Sequence, residues 1–248
     1  MKTIWNKNYN MDALYKIIVL IFFIVFFVFK IKSGEIIKYV HPRNINFIKF
    51  TVLFMIGIVL FLVPEVFKVR RYGMKRNRVS LFIVTILIAF FIPISESHTD
   101  SFAYEEFKLG IDDSSYMIKA EQPFQSNEKK PIVIDTTNYV RYVQMLYEDI
   151  ESYKGKEVEI TGFVFRNKEF NEEKFVVARM MMVCCAADMQ PIGILCRYDN
   201  SSELKNDDWI CLKGIVNSDE LNGQIVPVIE IIQIEKINKP QDEYVYPF

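Results

Sequence analysis

The stretch RMMMVCCAADMQPIGILC, residues 179–196, concentrates the chemistry of this 248-residue chain. Two adjacent thiols, Cys184 and Cys185, precede a carboxylate, Asp188, and a single guanidinium, Arg179, interrupts the apolar run before them. Two thiolates beside a carboxylate form a donor set for a soft or borderline metal ion, with Cys196 or a histidine as a further ligand. The same cysteines would serve equally in a structural disulfide, or as small packed groups with Asp188 closing a turn. Neither a C-x-x-C pair nor a second ligand cluster singles out the metal, so the residues leave these three uses open.

Neighbouring residues of a strand point to opposite faces, so Cys184 and Cys185 diverge unless a bulge intervenes. A hairpin turning at residues 186–191 brings Cys184 near Gly193 and leaves Cys196 off register for a disulfide. Arg179 is expected to pair with Asp188 across the turn or with an acid on a neighbouring strand; the alternative is an anionic ligand. Met180, Met181 and Met182 suit a soft metal but fill a core more simply. His98 has no neighbouring ligand residue, and Cys211 falls on a separate strand. Ser-His-Asp, phosphate-loop, HExxH and EF-hand patterns are absent, so the chain is read as non-enzymatic with no cofactor beyond the candidate metal ion.

The elements that must position these residues begin after a short apolar run at 132–134. Thr137 or Asn138 caps a helix that runs to Lys154–Gly155, with Tyr139, Tyr142, Val143, Leu146, Tyr147 and Ile150 on one stripe. Five strands follow, at 158–165, 175–184, 193–198, 209–216 and 226–237, separated by Asn-, Asp- and Gly-rich turns. Their cadence is that of a five-stranded oligonucleotide/oligosaccharide-binding (OB) barrel. Nucleic acid is a poor ligand for it, because residues 151–239 hold 11 basic and 15 acidic residues, and phosphate binding needs the opposite sign.

Upstream the composition changes. Residues 1–94 carry 14 Lys/Arg and 3 Asp/Glu, whereas residues 95–248 carry 16 and 28. The basic part also holds three long apolar segments, 13–29, 45–63 and 79–95, of a length that crosses a hydrocarbon core of about 30 Å. None shows a polar face, which excludes a uniform soluble globule. Lys16 and Lys49 lie near segment ends and anchor at the headgroups. The spans hold no central acid, histidine or arginine, so they form an anchor or a docking surface rather than a conduction path. The predicted organisation is a three-helix transmembrane module over 1–95, a linker over 96–130 with a short strand near 115–120, and a β-rich α+β domain over 131–248. Six basic residues at 68–78, with Lys2 and Lys7, outnumber the four at 30–43. The positive-inside rule then keeps the N-terminus cytoplasmic and delivers the C-terminal domain outside the cell membrane.

The string VVARMMMVCCAADMQPIGILC, preceded by YKGKEVEITGFVF and followed by DDWICLKGIV, resembles the signature of the YcgQ-like family of bacterial membrane proteins. Arg179, Cys184, Cys185, Ala187, Asp188 and Gly193 fall on its motif. The resemblance implies a hydrophobic N-terminal region joined to a C-terminal domain. It also implies a role as an accessory subunit of a two-component membrane permease complex beside a YcgR-like polytopic permease. It names neither a substrate nor a catalytic residue.

Overall fold

The computed structural model describes residues 10–68, 131–166, 173–221 and 223–247. The apolar segment at 79–95, the linker at 96–130 with its expected strand, and His98 lie outside the described residues. The chain divides into two compact units, Met1–Ser95 and Glu96–Phe248.

The described residues of the first unit hold two 22-residue helices, α1 (Met11–Lys32) and α2 (Ile45–Val66). Asn10 starts α1 by accepting from the Ala13 amide at 3.3 Å, and Lys30 and Lys32 occupy the last turn, where the helix dipole favours cations. Two 3-10 turns, Glu35–Lys38 and Pro42–Asn44, reverse the chain. The Asn10 amide donates to the Val66 carbonyl at 2.7 Å, so the start of α1 lies beside the end of α2 in an antiparallel hairpin. Lys16 pairs with Asp12 at 3.1 Å, which holds its charge toward the helix start. Large apolar side chains face outward, with Phe47, Phe50 and Phe61 between 68% and 76% exposed. Among the described residues, two helices are long and apolar enough to cross a membrane. A hairpin in water would bury such a surface, so the apolar faces call for a non-aqueous surrounding.

The second unit begins with β1 (Ile132–Ile134), α3 (Tyr139–Glu148) and α4 (Ile150–Tyr153). Asn138 stands at the N-cap of α3, within the expected pair, but its side chain makes no capping bond; the Asp135 carboxylate instead orders the preceding turn, accepting from the amides of Thr137 at 2.8 Å and Asn138 at 3.2 Å. The expected continuous helix breaks at Asp149, whose φ of −143° is not helical and whose carboxylate accepts from the Ser152 amide to start α4. Tyr139, Val143 and Leu146 of the predicted stripe are fully buried.

Five strands then close a barrel: β2 (Glu157–Phe165), β3 (Lys174–Met181), β4 (Gln190–Arg197), β5 (Trp209–Leu221) and β6 (Gln224–Lys236). Going round, β2 pairs with β5, β5 with β6, β6 with β4 in parallel, β4 with β3, and β3 returns to β2 through Phe163–Phe165. Closure removes the unpaired strand edges that an open sheet would present. β1 adds in parallel to β2, and β7 (Tyr244–Val245) adds in parallel to β3. The strands beside β3 approach it tightly, because a Cβ on Gly162 of β2 would come within 2.5 Å of the Ala178 carbonyl oxygen and one on Gly193 of β4 within 2.2 Å of the Val177 carbonyl oxygen. On β6, Gln233 opposes Lys213 and Ile231 opposes Gly214, so Ile232 is an extra residue that bulges and is 64% exposed.

Strand alternation produces two cores. The larger takes side chains from every barrel strand together with β1 and α3, including Ile160, Phe175, Ile194, Cys196 and Leu212. The smaller lies on the opposite face of β3, where Val176, Ala178 and Met180 pack with Phe163, Leu195 and Tyr244. Both faces of β3 are therefore apolar, and the expected strand at 175–184 ends instead at Met181. Residues 182–189 form the connection to β4 and carry both cysteines out of the strand.

Candidate functional site

The β3–β4 connection is organised by Asp188. Its Oδ1 accepts from the Val183 amide at 2.9 Å, and its Oδ2 accepts from the amides of Cys184 at 2.7 Å and Cys185 at 3.1 Å. The Asp188 amide in turn donates to the Cys185 carbonyl, which closes the 3-10 turn Ala186–Asp188. A carboxylate three residues downstream of an extended residue is well spaced to collect these otherwise unpaired donors. Burial works against its charge. The Cys184 thiol and the three amides outweigh burial and hold the Asp188 carboxyl below the usual carboxylate range.

Leaving the strand changes where the cysteines point. Cys185 is extended, with φ −160° and ψ 172°, yet its Sγ lies 3.7 Å from that of Cys184. The expected divergence of the two thiols does not occur, because the alternation of a ladder no longer constrains Cys184. One ligand atom from each of Cys184, Cys185 and Asp188 falls within 4.8 Å of the others, with Cys184 exposed and the other two partly so. Hydrogen bonding to Asp188 first, and to Cys185 second, pushes the Cys184 thiol up to about 12.

Two candidates of the sequence are placed elsewhere. Cys196 pairs in register with Phe175 near the far end of the β3–β4 hairpin, buried in the larger core, where burial pushes its thiol up to about 12. Six residues of strand separate it from Gln190, about 20 Å of backbone, so it is no ligand for the turn. None of the four cysteines is in a disulfide. Cys211, on β5, faces Glu159 at 3.9 Å.

Arg179 does not pair with Asp188, whose oxygens are already engaged by backbone amides. Its side chain is 1% exposed; it donates to Thr136 Oγ1 at 2.5 Å and to the Asp242 carbonyl at 2.9 Å. The guanidinium lies 5.2 Å from the Trp209 ring centroid and 6.0 Å from that of Tyr139. Its Nε has no hydrogen-bond partner. Burial lowers its pKa, opposed by Tyr139, Asp242 and Asp135, and an arginine stays charged regardless. It thus ties the segment after β1 and the C-terminal tail to β3, two connections that no local spacing announced. The apolar pair Tyr244–Val245 in a polar tail was the available signal, since it is the one that adds to β3 as β7.

A Bacillus subtilis relative named UPF0703 protein YcgQ is 27% identical over 135 residues, 53% of this chain and 47% of that protein. A Streptococcus mutans relative carries the provisional name of two-component membrane permease complex subunit; it is 24% identical over 115 residues, 46% of this chain and 42% of that protein. The chain thus spans about half the length of the curated relatives it matches. Among solved structures, an OBody bound to hen egg-white lysozyme covers 36% of the chain at 19% identity with a TM-score of 0.26, 86% of that structure being matched. A small single-stranded DNA-binding protein from Streptomyces coelicolor covers 34% at 12% identity with a TM-score of 0.21, 95% of it being matched. The DUF1980 C-terminal domain matches residues 110–247. With more than half of its length matched, the protein belongs to the DUF1980 C-terminal domain family, as its resemblance to the YcgQ-like proteins implied.

Proposed function

We propose that the protein is a non-enzymatic accessory subunit of a two-component membrane permease complex. The helical module anchors it and docks against a polytopic, YcgR-like permease in the lipid bilayer, and the barrel stands outside the cell and binds or gates substrate at the permease mouth. The observation that carries this reading is the outward apolar surface of α1 and α2, which lacks any polar stripe. Lipid satisfies that surface, and so does a polytopic partner. The name of the Streptococcus mutans relative supports the choice of a permease as that partner. The acidic balance of residues 151–239 disfavours nucleic acid and suits a cationic cargo.

Affinity purification of the tagged chain from native membranes in mild detergent tests the proposal. A polytopic permease should co-purify at a fixed stoichiometry. Recovery of the chain alone across several detergents would count decisively against the complex.

A further inference from the structure

We infer that the Cys184–Cys185–Asp188 turn is a binding site for a thiophilic divalent cation of the Zn2+ class, held by both thiolates and the carboxylate. Two observations converge on it. The first is the side-chain arrangement: Cys185 caps the Ala186–Asp188 turn with its side chain and the Cys184 thiol bonds to Asp188 and Cys185, so both Sγ atoms and the carboxylate are brought together. The second is the separation. Two sulfurs bound tetrahedrally at about 2.3 Å from one ion lie about 3.8 Å apart, and the Sγ atoms here are 3.7 Å apart before any ion arrives. Asp188 needs little movement to join them, since all three ligand atoms lie within 4.8 Å of one another and three amide bonds hold the carboxylate in place.

The donor set selects the ion. Mg2+ and Ca2+ take oxygen ligands and have no use for paired thiolates. Cu+ prefers sulfur alone, whereas a mixed sulfur and carboxylate set suits Zn2+ and its analogue Cd2+. Binding releases the two thiol protons to solvent and forms two metal–sulfur bonds and one metal–oxygen bond, with no change of oxidation state. Three protein ligands leave a fourth position for water, the pattern of an accessible rather than a sealed site. The exposure of Cys184 gives the ion a route in.

The test uses the full chain, purified in detergent with its thiols reduced and titrated with Cd2+. The thiolate-to-cadmium charge-transfer band should rise and saturate at one ion per chain, and added Zn2+ should abolish it. Cys184→Ser, at an exposed position, should remove most of the band, and the double Cys184→Ser/Cys185→Ser variant all of it, while Cys211→Ser keeps it. Asp188→Asn, checked for folding by circular dichroism, should weaken Cd2+ binding by about 10–100-fold. Absence of a saturable band, its survival in the double variant, or failure of Zn2+ to compete would overturn the site. The readout involves no permease, so its outcome is independent of the complex proposed above.

Discussion

Asp188 has two effects that separate experimentally. Removing its carboxylate strands the amides of Val183, Cys184 and Cys185. Asp188→Ala should therefore destabilise the barrel by about 2 kcal/mol, as read from denaturant unfolding followed by circular dichroism. Its folded pKa is depressed, so its contribution is present above the unfolded carboxylate value of about 3.9 and is lost as the pH falls through the folded value. The stability gap between the wild type and Asp188→Ala should accordingly hold at neutral pH and narrow in acid below about pH 4; a gap unchanged in acid would show that the charge is not what stabilises the turn. The second effect is on Cys184, whose thiol Asp188 keeps protonated. In the metal-free variant the thiol pKa falls, and alkylation of Cys184 at pH 8, followed by mass spectrometry, should accelerate by more than about tenfold. Arg179 gives a purely structural contrast. Arg179→Met leaves the Asp242 carbonyl and Thr136 without their donor and should cost about 2–4 kcal/mol. Arg179→Lys should recover only part of that loss, because one ammonium does not reproduce a fork that reaches two acceptors. Full recovery by lysine would mean that charge alone matters there.

Among the elements, β3 carries the most. It pairs with β4 on one side, β7 on the other and β2 at the closure, with apolar side chains on both faces. Gly193 makes that crowding feasible. Gly193→Ala would drive a methyl against the Val177 carbonyl oxygen and should prevent a cooperative thermal transition. Gly223→Ala, at φ +80° in an open turn, should cost only about 1 kcal/mol. Equal melting temperatures for the two variants would refute the tight approach of β4 to β3. The five strands were legible because short runs rich in Val, Ile and Leu, bounded by Asn-, Asp- and Gly-rich turns, are a local signal. The extension of β5 to Leu221 was not, because Asn217–Glu220 is polar and is held by pairing with Ile225–Val228 across the hairpin. The break at Asp149 was hidden by an apolar stripe that runs on to Ile150. The turn chemistry of CCAAD was half legible: the residue types announced the ligands, but their convergence depends on the strand ending at Met181. That end reflects Asp188 capturing three amides that a continuing ladder would have used. The partners of Arg179 lie 43 and 63 residues away in sequence, beyond any local pattern.

At the scale of the whole molecule, the charge partition and the helices together make a prediction about sidedness. The loop between α1 and α2 holds Lys38 and Arg43 among its four basic flanking residues, whereas eight lie in the N-terminal tail and the 68–78 stretch. The positive-inside rule places that loop outside and the N-terminus inside. From there the side on which the barrel lies is a matter of parity. If the apolar segment at 79–95 spans, two crossings separate the α1–α2 loop from the barrel, and both face the same side; if it does not, only α2 intervenes, and they face opposite sides. Ser33, exposed just after α1, and Ile225, 71% exposed at the start of β6, are suitable reporters. In a background with the native cysteines replaced, Ser33→Cys and Ile225→Cys should both react with a membrane-impermeant maleimide in intact cells, to the extent seen after permeabilisation. Labelling of Ser33→Cys alone would remove the third span, put the barrel in the cytoplasm and exclude a substrate-gating role at an outer mouth. Labelling of Ile225→Cys alone would invert the helical hairpin and remove the third span, leaving the barrel outside, which the excess of basic residues in the 68–78 stretch argues against.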